Sequence, residues 1–200
     1  MQIMNIKTLS FKKFLLPAGI ILLMTCFFSP TFAAQYSPDT CHQPMILTNE
    51  NFLPALLKSI DEAKKEIFIS MYSFKTGENG NSYPDRIVSH LAKAVKKGVI
   101  VSVVLEKATN QSDELTIQNR TTGKLLEEEG IHVYFDAPDK TTHTKVIVID
   151  RRIVILGSHN FTQSALKYNN EVSVLLESPD QANDVRNYIL KIIDEGKKTK

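Results

Sequence analysis

Cysteine is nearly absent: the 200-residue chain has only Cys26 and Cys41. Cys26 lies in an N-terminal segment with the marks of a removable leader, so a mature chain would keep Cys41 alone. One thiol excludes an intrachain disulfide framework, and the fold must rest on its core. An excess of one charge is missing too. The chain carries 24 Lys and Arg against 22 Asp and Glu, and residues 1–33 hold three lysines and no acids, leaving 21 basic and 22 acidic residues beyond them. A nonspecific polyanion binder usually shows a basic footprint. The overall balance shows none, although Lys140, Lys145, Arg151, Arg152 and Lys167 cluster near one motif. The longest apolar run, Phe14 to Phe28, falls short of the roughly 20 residues that cross a bilayer. There is no internal repeat, no low-complexity tract, and none of the usual zinc spacings such as H-E-x-x-H.

What is present begins with that N-terminus. Lys7, Lys12 and Lys13 precede the apolar run, and Thr31-Phe32-Ala33 offers small residues at the −3 and −1 positions of a cleavage site. This pattern predicts a secretory signal over 1–33 and a secreted or periplasmic protein. Residues 34–46 read as an irregular arm. Residues 47–196 are long enough for one domain with a proper core. Thr48 is expected to cap a helix through about Lys65, with Phe52, Leu53, Leu56, Leu57, Ile60 and Ala63 on one stripe. Further helices are expected over about 85–97, ending at Glu129, over 162–167 and over 180–193. Strands are expected at 67–74, 99–105, 131–135 and 171–176, with a hairpin at 143–158. Helices alternating with strands predict an α/β fold, a mixed β-sheet sandwiched by helices.

The hairpin carries the chemistry. His143-Thr144-Lys145-Val146-Ile147-Val148-Ile149-Asp150 is an apolar β-branched strand interrupted by an imidazole, an ammonium and a carboxylate, and Gly157-Ser158-His159-Asn160 follows. Polar groups are costly in such a run unless something rewards them, and these types suit phosphodiester chemistry. His143 and Lys145 share one strand face. If Arg151-Arg152 forms a two-residue loop, Lys145 lies opposite Ser158 and His143 opposite Asn160, gathering all four at the open end. A longer turn would shift that register. On the same parity, His159 falls on the other face from His143. Asp150 is either a turn former or a participant in the site.

H-x-K-x4-D followed by G-S-x-N, carried by His143, Lys145, Asp150, Gly157, Ser158 and Asn160, resembles the signature of the phospholipase D superfamily. Phe161-Thr162, and Asn170-Glu171 ahead of 172–176, resemble its single-motif, Nuc-type bacterial branch, over a likeness spanning about 45–195. The resemblance implies the layered phospholipase D/nuclease fold and a metal-free, cofactor-free reaction. His143 would attack phosphorus to form a phosphohistidine. Lys145, Ser158 and Asn160 would bind the phosphoryl oxygens, and Glu171 would accept from the second nitrogen of the His143 ring. Tyr72-Ser73-Phe74 resembles a family segment near the site, though core packing explains it as well. His42, His90, His132 and His159 each lack a lysine two positions later, so one chain provides no second motif for a general acid. The resemblance implies a homodimer in which two copies of His143 meet, one attacking while the other protonates the leaving group.

Two substrates share this chemistry. A nonspecific endonuclease acting on DNA or RNA is the leading expectation, and a phospholipase D acting on phosphatidylcholine-type lipids is the alternative. A noncatalytic phosphate-binding module is a third reading, weakened because binding alone needs no nucleophile.

Overall fold

The computed structural model describes residues 43–77 and 80–198. The signal reading over 1–33, most of the arm and Cys41 lie outside these residues. β1 (Met45–Thr48) leads through a 3-10 turn into α1 (Phe52–Glu62) and β2 (Glu66–Met71). Then come α2 (Tyr83–Lys96), β3 (Ile100–Leu105), α3 (Glu114–Glu128) and β4 (His132–Phe135). The hairpin β5 (Lys145–Ile149) and β6 (Ile153–Gly157) follows, with α4 (Gln163–Lys167), β7 (Val172–Glu177) and α5 (Pro179–Lys198) closing the chain. The sequence expectation missed β1: the last residues of the supposed arm pair antiparallel with β7, Met45 opposite Leu175. The first helix accordingly starts at Phe52, and Thr48 ends a strand instead of capping that helix.

The seven strands form one mixed sheet in the order β1-β7-β6-β5-β2-β3-β4. β2, β3 and β4 are parallel neighbours, and the remaining pairs are antiparallel. Alternation divides the core in two. Ile67, Ile69, Val101, Val103, Ile147, Ile149, Ile153 and Ile155 face α1 to α4, meeting Leu56, Ile60, Leu91, Leu126 and Leu166. Phe68, Val104, Val146, Val148 and Val154 face α5 and pack on Ala182, Ile189, Ile192 and Ile193. The helices thus sandwich the sheet, as the α/β pattern predicts. α1 buries the expected stripe, and α2 opens on a capping box between Ser82 and Asp85.

This topology sorts the chain by edge. The C-terminal ends of β2, β3, β4 and β6 and the N-terminal starts of β5 and β7 share one edge of the sheet. The motif residues 143–145, 157–160 and 171 therefore converge there, while the 150–152 turn lies at the opposite edge beside 64–66. Crevices outside strand ends are where open α/β sheets bind ligands.

Candidate active site

The hairpin register differs from the expected one. Ile149 pairs with Ile153 and Val146 with Leu156, so the chain turns through Asp150, Arg151 and Arg152. Asp150 and Arg151 both adopt φ +52°, and the Arg152 amide donates to the Ile149 carbonyl at 3.0 Å. Continuing this ladder puts Lys145 opposite Gly157, and it puts His159, not Asn160, opposite His143. Asp150 tolerates the left-handed conformation better than most residues, and it joins Arg151 and Arg152 in a three-residue turn.

His143 and Lys145 remain together. The Tyr72 amide donates to the Thr144 carbonyl at 2.8 Å, and the Ser70 and Thr144 hydroxyls lie 2.5 Å apart, fixing the start of β5 to the end of β2. His143 is exposed, and its ring meets the Tyr72 ring edge-on with centroids 4.4 Å apart. Lys145 Nζ sits 4.8 Å over the same tyrosine and 3.1 Å from His143 Nε2, and it also donates to the His143 carbonyl at 3.1 Å. A charged ammonium has only protons to give, so this contact requires the lone pair on Nε2 and the hydrogen on Nδ1. The nucleophilic nitrogen and the positive charge therefore point at one location. Burial holds Lys145 below the ordinary lysine range, and the charge of Glu171 pulls the other way.

Glu171 is tied differently from the expectation. Its Oε2 accepts from the Ser158 hydroxyl and its Oε1 from Asn169 Nδ2 at 3.1 Å, while its own amide donates to Asn49 Oδ1 at 2.8 Å. Among the described residues the contacts of Glu171 are thus to Ser158, Asn169 and Asn49, and it reaches the cluster as a charge acting on Lys145. Ser158 also accepts from the Val172 amide at 3.0 Å. Through the register shift Ser158 stands one face away from Lys145 and meets the site through Glu171. Asn160 is half-buried, and its Oδ1 is buried without a hydrogen bond among the described residues. On its two sides, His159 and Phe161 are anchored in the core.

Asp150 is not with the others. Its carboxylate accepts from the amides of Lys64 at 2.8 Å, Lys65 at 2.7 Å and Glu66 at 3.0 Å. Strand rise alone puts it roughly 16 Å from Lys145. The direct catalytic role considered for it gives way to a structural one. Arg151 and Arg152 leave the site as well, pairing with Glu66 and Glu177 at that far edge.

Sequence reasoning undervalued two residues. Tyr72 is the floor on which both His143 and Lys145 rest, which its position at a strand end only hinted at. His159 falls on the face of His143, contrary to the expected parity, yet it is buried: it stacks on Phe52 at 4.0 Å and 6° and shares a hydrogen bond with Ser173 Oγ at 2.8 Å. Burial depresses its pKa, against the opposing pull of Glu171 and the Asn49 backbone. Gly157 makes this corner possible. A Cβ there would meet Ser173 Oγ at 2.3 Å, Ser173 Cα at 2.4 Å and the Val172 carbonyl at 2.5 Å. Gly157→Ala is therefore expected to destabilise the protein by about 3 kcal/mol through forced separation of β6 and β7. Urea unfolding checks this.

A family profile described as "Cardiolipin synthase, PLD-like domain" matches residues 56–193. The chain belongs to this PLD-like family. Nuc of Salmonella typhimurium, a phospholipase D family member, superposes with a TM-score of 0.63 at 26% identity, over 77% of this chain and 97% of Nuc. NucT of Helicobacter pylori shares the fold, with a TM-score of 0.61 at 19% identity over 76% of this chain and 96% of NucT. In sequence, a phospholipase D of Rickettsia prowazekii is 29% identical over 122 residues, 61% of this chain and 53% of that protein. A polyphosphate kinase of Vibrio parahaemolyticus is 31% identical over 109 residues, 51% of this chain but 15% of the kinase. The chain thus spans about half of the rickettsial relative and a small part of the kinase. The fold is that of Nuc.

Proposed function

We propose that this protein is an exported, metal-independent phosphodiesterase, most simply a nonspecific endonuclease, working through a phosphohistidine at a homodimer interface. The observation that carries the reading is the exposed His143 ring, its Nε2 held 3.1 Å from the partly desolvated ammonium of Lys145. Nε2 attacks phosphorus, and a P–N bond forms as the P–O bond to the leaving group breaks. Lys145 stabilises the charge on the nonbridging oxygens. The departing oxygen takes its proton from His143 of a second subunit, and water then cleaves the P–N bond as that ring accepts a proton.

A second copy is called for because the described residues near His143 include no other free imidazole; His159 is buried and engaged. Exposed apolar side chains support such a pairing. Leu156 and Val172 flank Ser158 at the edge of the β6–β7 ladder, and Tyr168 stands nearby on the segment leading to Glu171.

The likeness to Nuc favours nucleic acid as the substrate. Beside His143 a cleft also carries Lys140 and Tyr188, a cation and an aromatic side chain of the kind that track a strand, together with Asp136 and a Lys191 paired to Glu195 at 3.8 Å. The rickettsial relative, a phospholipase D, favours lipid instead. Purified protein assayed in parallel on single- and double-stranded DNA and on phosphatidylcholine separates them. DNA cleavage is expected. With about four phosphates engaged, single-strand affinity should fall roughly 50-fold between 50 and 200 mM salt. Turnover of phosphatidylcholine without DNA cleavage would replace the nuclease reading with the lipase one.

A further inference from the structure

Two carboxyl groups that this chemistry does not use stand directly behind His143. Glu106 and Asp136 are the first residues after β3 and β4, whose last parallel pair is Leu105 with Phe135. They are therefore neighbours, and they are 4% and 1% exposed. Both accept from the same donor: the Thr142 amide reaches Glu106 Oε2 at 2.5 Å and Asp136 Oδ2 at 3.1 Å. Asp136 Oδ1 also accepts from the Lys107 amide at 2.8 Å. Thr142 is itself buried and immediately precedes His143.

Behind Glu106 the frame is equally tied. The carboxamide of Asn119, buried in α3, donates to the Glu106 carbonyl at 2.9 Å and to the Tyr72 carbonyl at 2.8 Å, and it accepts from the Phe74 amide at 3.0 Å. One side chain thus ties the backbone of the tyrosine beneath His143 to the backbone of the residue whose carboxyl grips Thr142.

Two ionised carboxylates that share one donor repel, and the neutral Thr142 and Lys107 amides cannot offset two full charges. Among the described residues no ion pair reaches either one. The charged and titratable groups around them are Asp113 at the start of α3, His143 and Lys140 on the loop, and Tyr188, Lys191 and Glu195 on α5. We propose that Glu106 and Asp136 share one proton and act as a latch on the Thr142–His143 segment, closed while the pair is singly protonated and loosened when the second proton leaves. Burial, then the hydrogen bond that the protonated Glu106 carboxyl donates to Asp136, push the Glu106 carboxyl up to about 7; the Thr142 amide opposes this, and the charges of Asp136 and Asp113 add to it. Glu106 and Asp136 are positioning residues: they touch the backbone that carries the nucleophile, and no reacting atom.

The pH dependence follows in sign. A carboxyl whose folded pKa lies above its unfolded value stabilises the fold fully below the unfolded value, near 4.5, and that contribution is lost as pH rises through about 7. The consequence for turnover rests on the proposed role of His143; the consequence for stability does not. The test therefore uses the His143→Ala protein, which removes the titration of that ring. Its Tm is expected to fall between about pH 5.5 and 8.5 by more than its remaining groups account for. Thr142 amide protection, corrected for intrinsic exchange, is expected to drop about tenfold over the same range. Adding Glu106→Gln, which can still accept from Thr142 and donate to Asp136, should flatten both curves. Asp136→Asn serves as the second variant.

Carbon-detected NMR of the unsubstituted protein reads the pair without any substitution, and one carboxyl should titrate near 7. The latch is overturned if every carboxyl titrates below about 5.5, or if Glu106→Gln leaves both profiles unchanged. Should the protein cleave no phosphodiester at all, these measurements still decide the latch, so its failure is distinct from failure of the functional reading.

Discussion

His143→Ala is expected to lower phosphodiester turnover by about 10⁴-fold or more while leaving the fold intact. The size follows from what one substitution removes in a two-fold site. It deletes the nucleophile of one subunit and the general acid supplied by the other, and positioned acid catalysis alone is worth about 10²–10⁴-fold. The tolerance follows from exposure. The ring touches Tyr72 by its edge and Lys145 through one nitrogen, so truncating it opens no core cavity, and stability should change by less than about 1 kcal/mol. Hydrolysis of a small activated diester, set beside thermal unfolding, checks both halves. Two further measurements separate this mechanism from one in which His143 merely binds phosphate. A denaturing quench at alkaline pH, where a P–N bond survives, should trap phosphorus on the wild-type chain during turnover. Mixed dimers of wild-type and His143→Ala subunits should be as inactive as the variant itself, since each site needs both rings. Mixed dimers with half the wild-type activity would mean that each subunit works alone.

Much of the arrangement could be read from residue order, because it depends on short-range pattern. The apolar stripe of α1, the β-branched run of β5, and the helix ends near 97 and at Glu129, each followed by a glycine at positive φ (+87° at Gly98, +80° at Gly130), are local signals with local causes. The pairing of His143 with Lys145 is equally local, as two positions of one strand. What escaped the reading depends on segments distant in sequence. The hairpin register is set by amides at 64–66 that capture Asp150, and nothing near Asp150 announces them. β1 is a strand because β7 offers it an edge, more than a hundred residues later. Glu106 and Asp136 look like ordinary loop acids until parallel pairing of β3 and β4 brings them onto one amide. Glu171 was assigned to His143 by resemblance alone, and its position beside Ser158 reflects the close approach of β6 and β7 at Gly157. The missed parts share one property: each is a contact between strand ends whose neighbours are fixed only by the order of strands in the sheet.

Asp150→Ala should separate the motif's aspartate from its chemistry. The carboxylate satisfies three successive amides, all within 3.0 Å, where the chain leaves α1 and enters β2. Hydrogen bonds to a charged acceptor contribute about 1.5–3 kcal/mol each when singly removed, although water can replace part of that loss at this half-exposed edge. Alanine at φ +52° adds roughly 1 kcal/mol, because its Cβ crowds the following carbonyl in the left-handed region. Together these predict a loss of about 3–5 kcal/mol, a large fraction of the stability of a domain this size. Asp150→Asn keeps one acceptor oxygen and a residue type at ease with positive φ, so it should lose about half as much. Because Asp150 stands at the edge opposite His143, the folded fraction of either variant should retain a kcat within a few-fold of wild type. Its cost should appear in the urea midpoint and in the amount of soluble protein. Activity per folded molecule that falls as far as in His143→Ala would instead place this carboxylate in the reaction. It would then have to act across the full length of β5, a distance at which side-chain contact with the phosphoryl group is impossible and only a rearranged hairpin would serve.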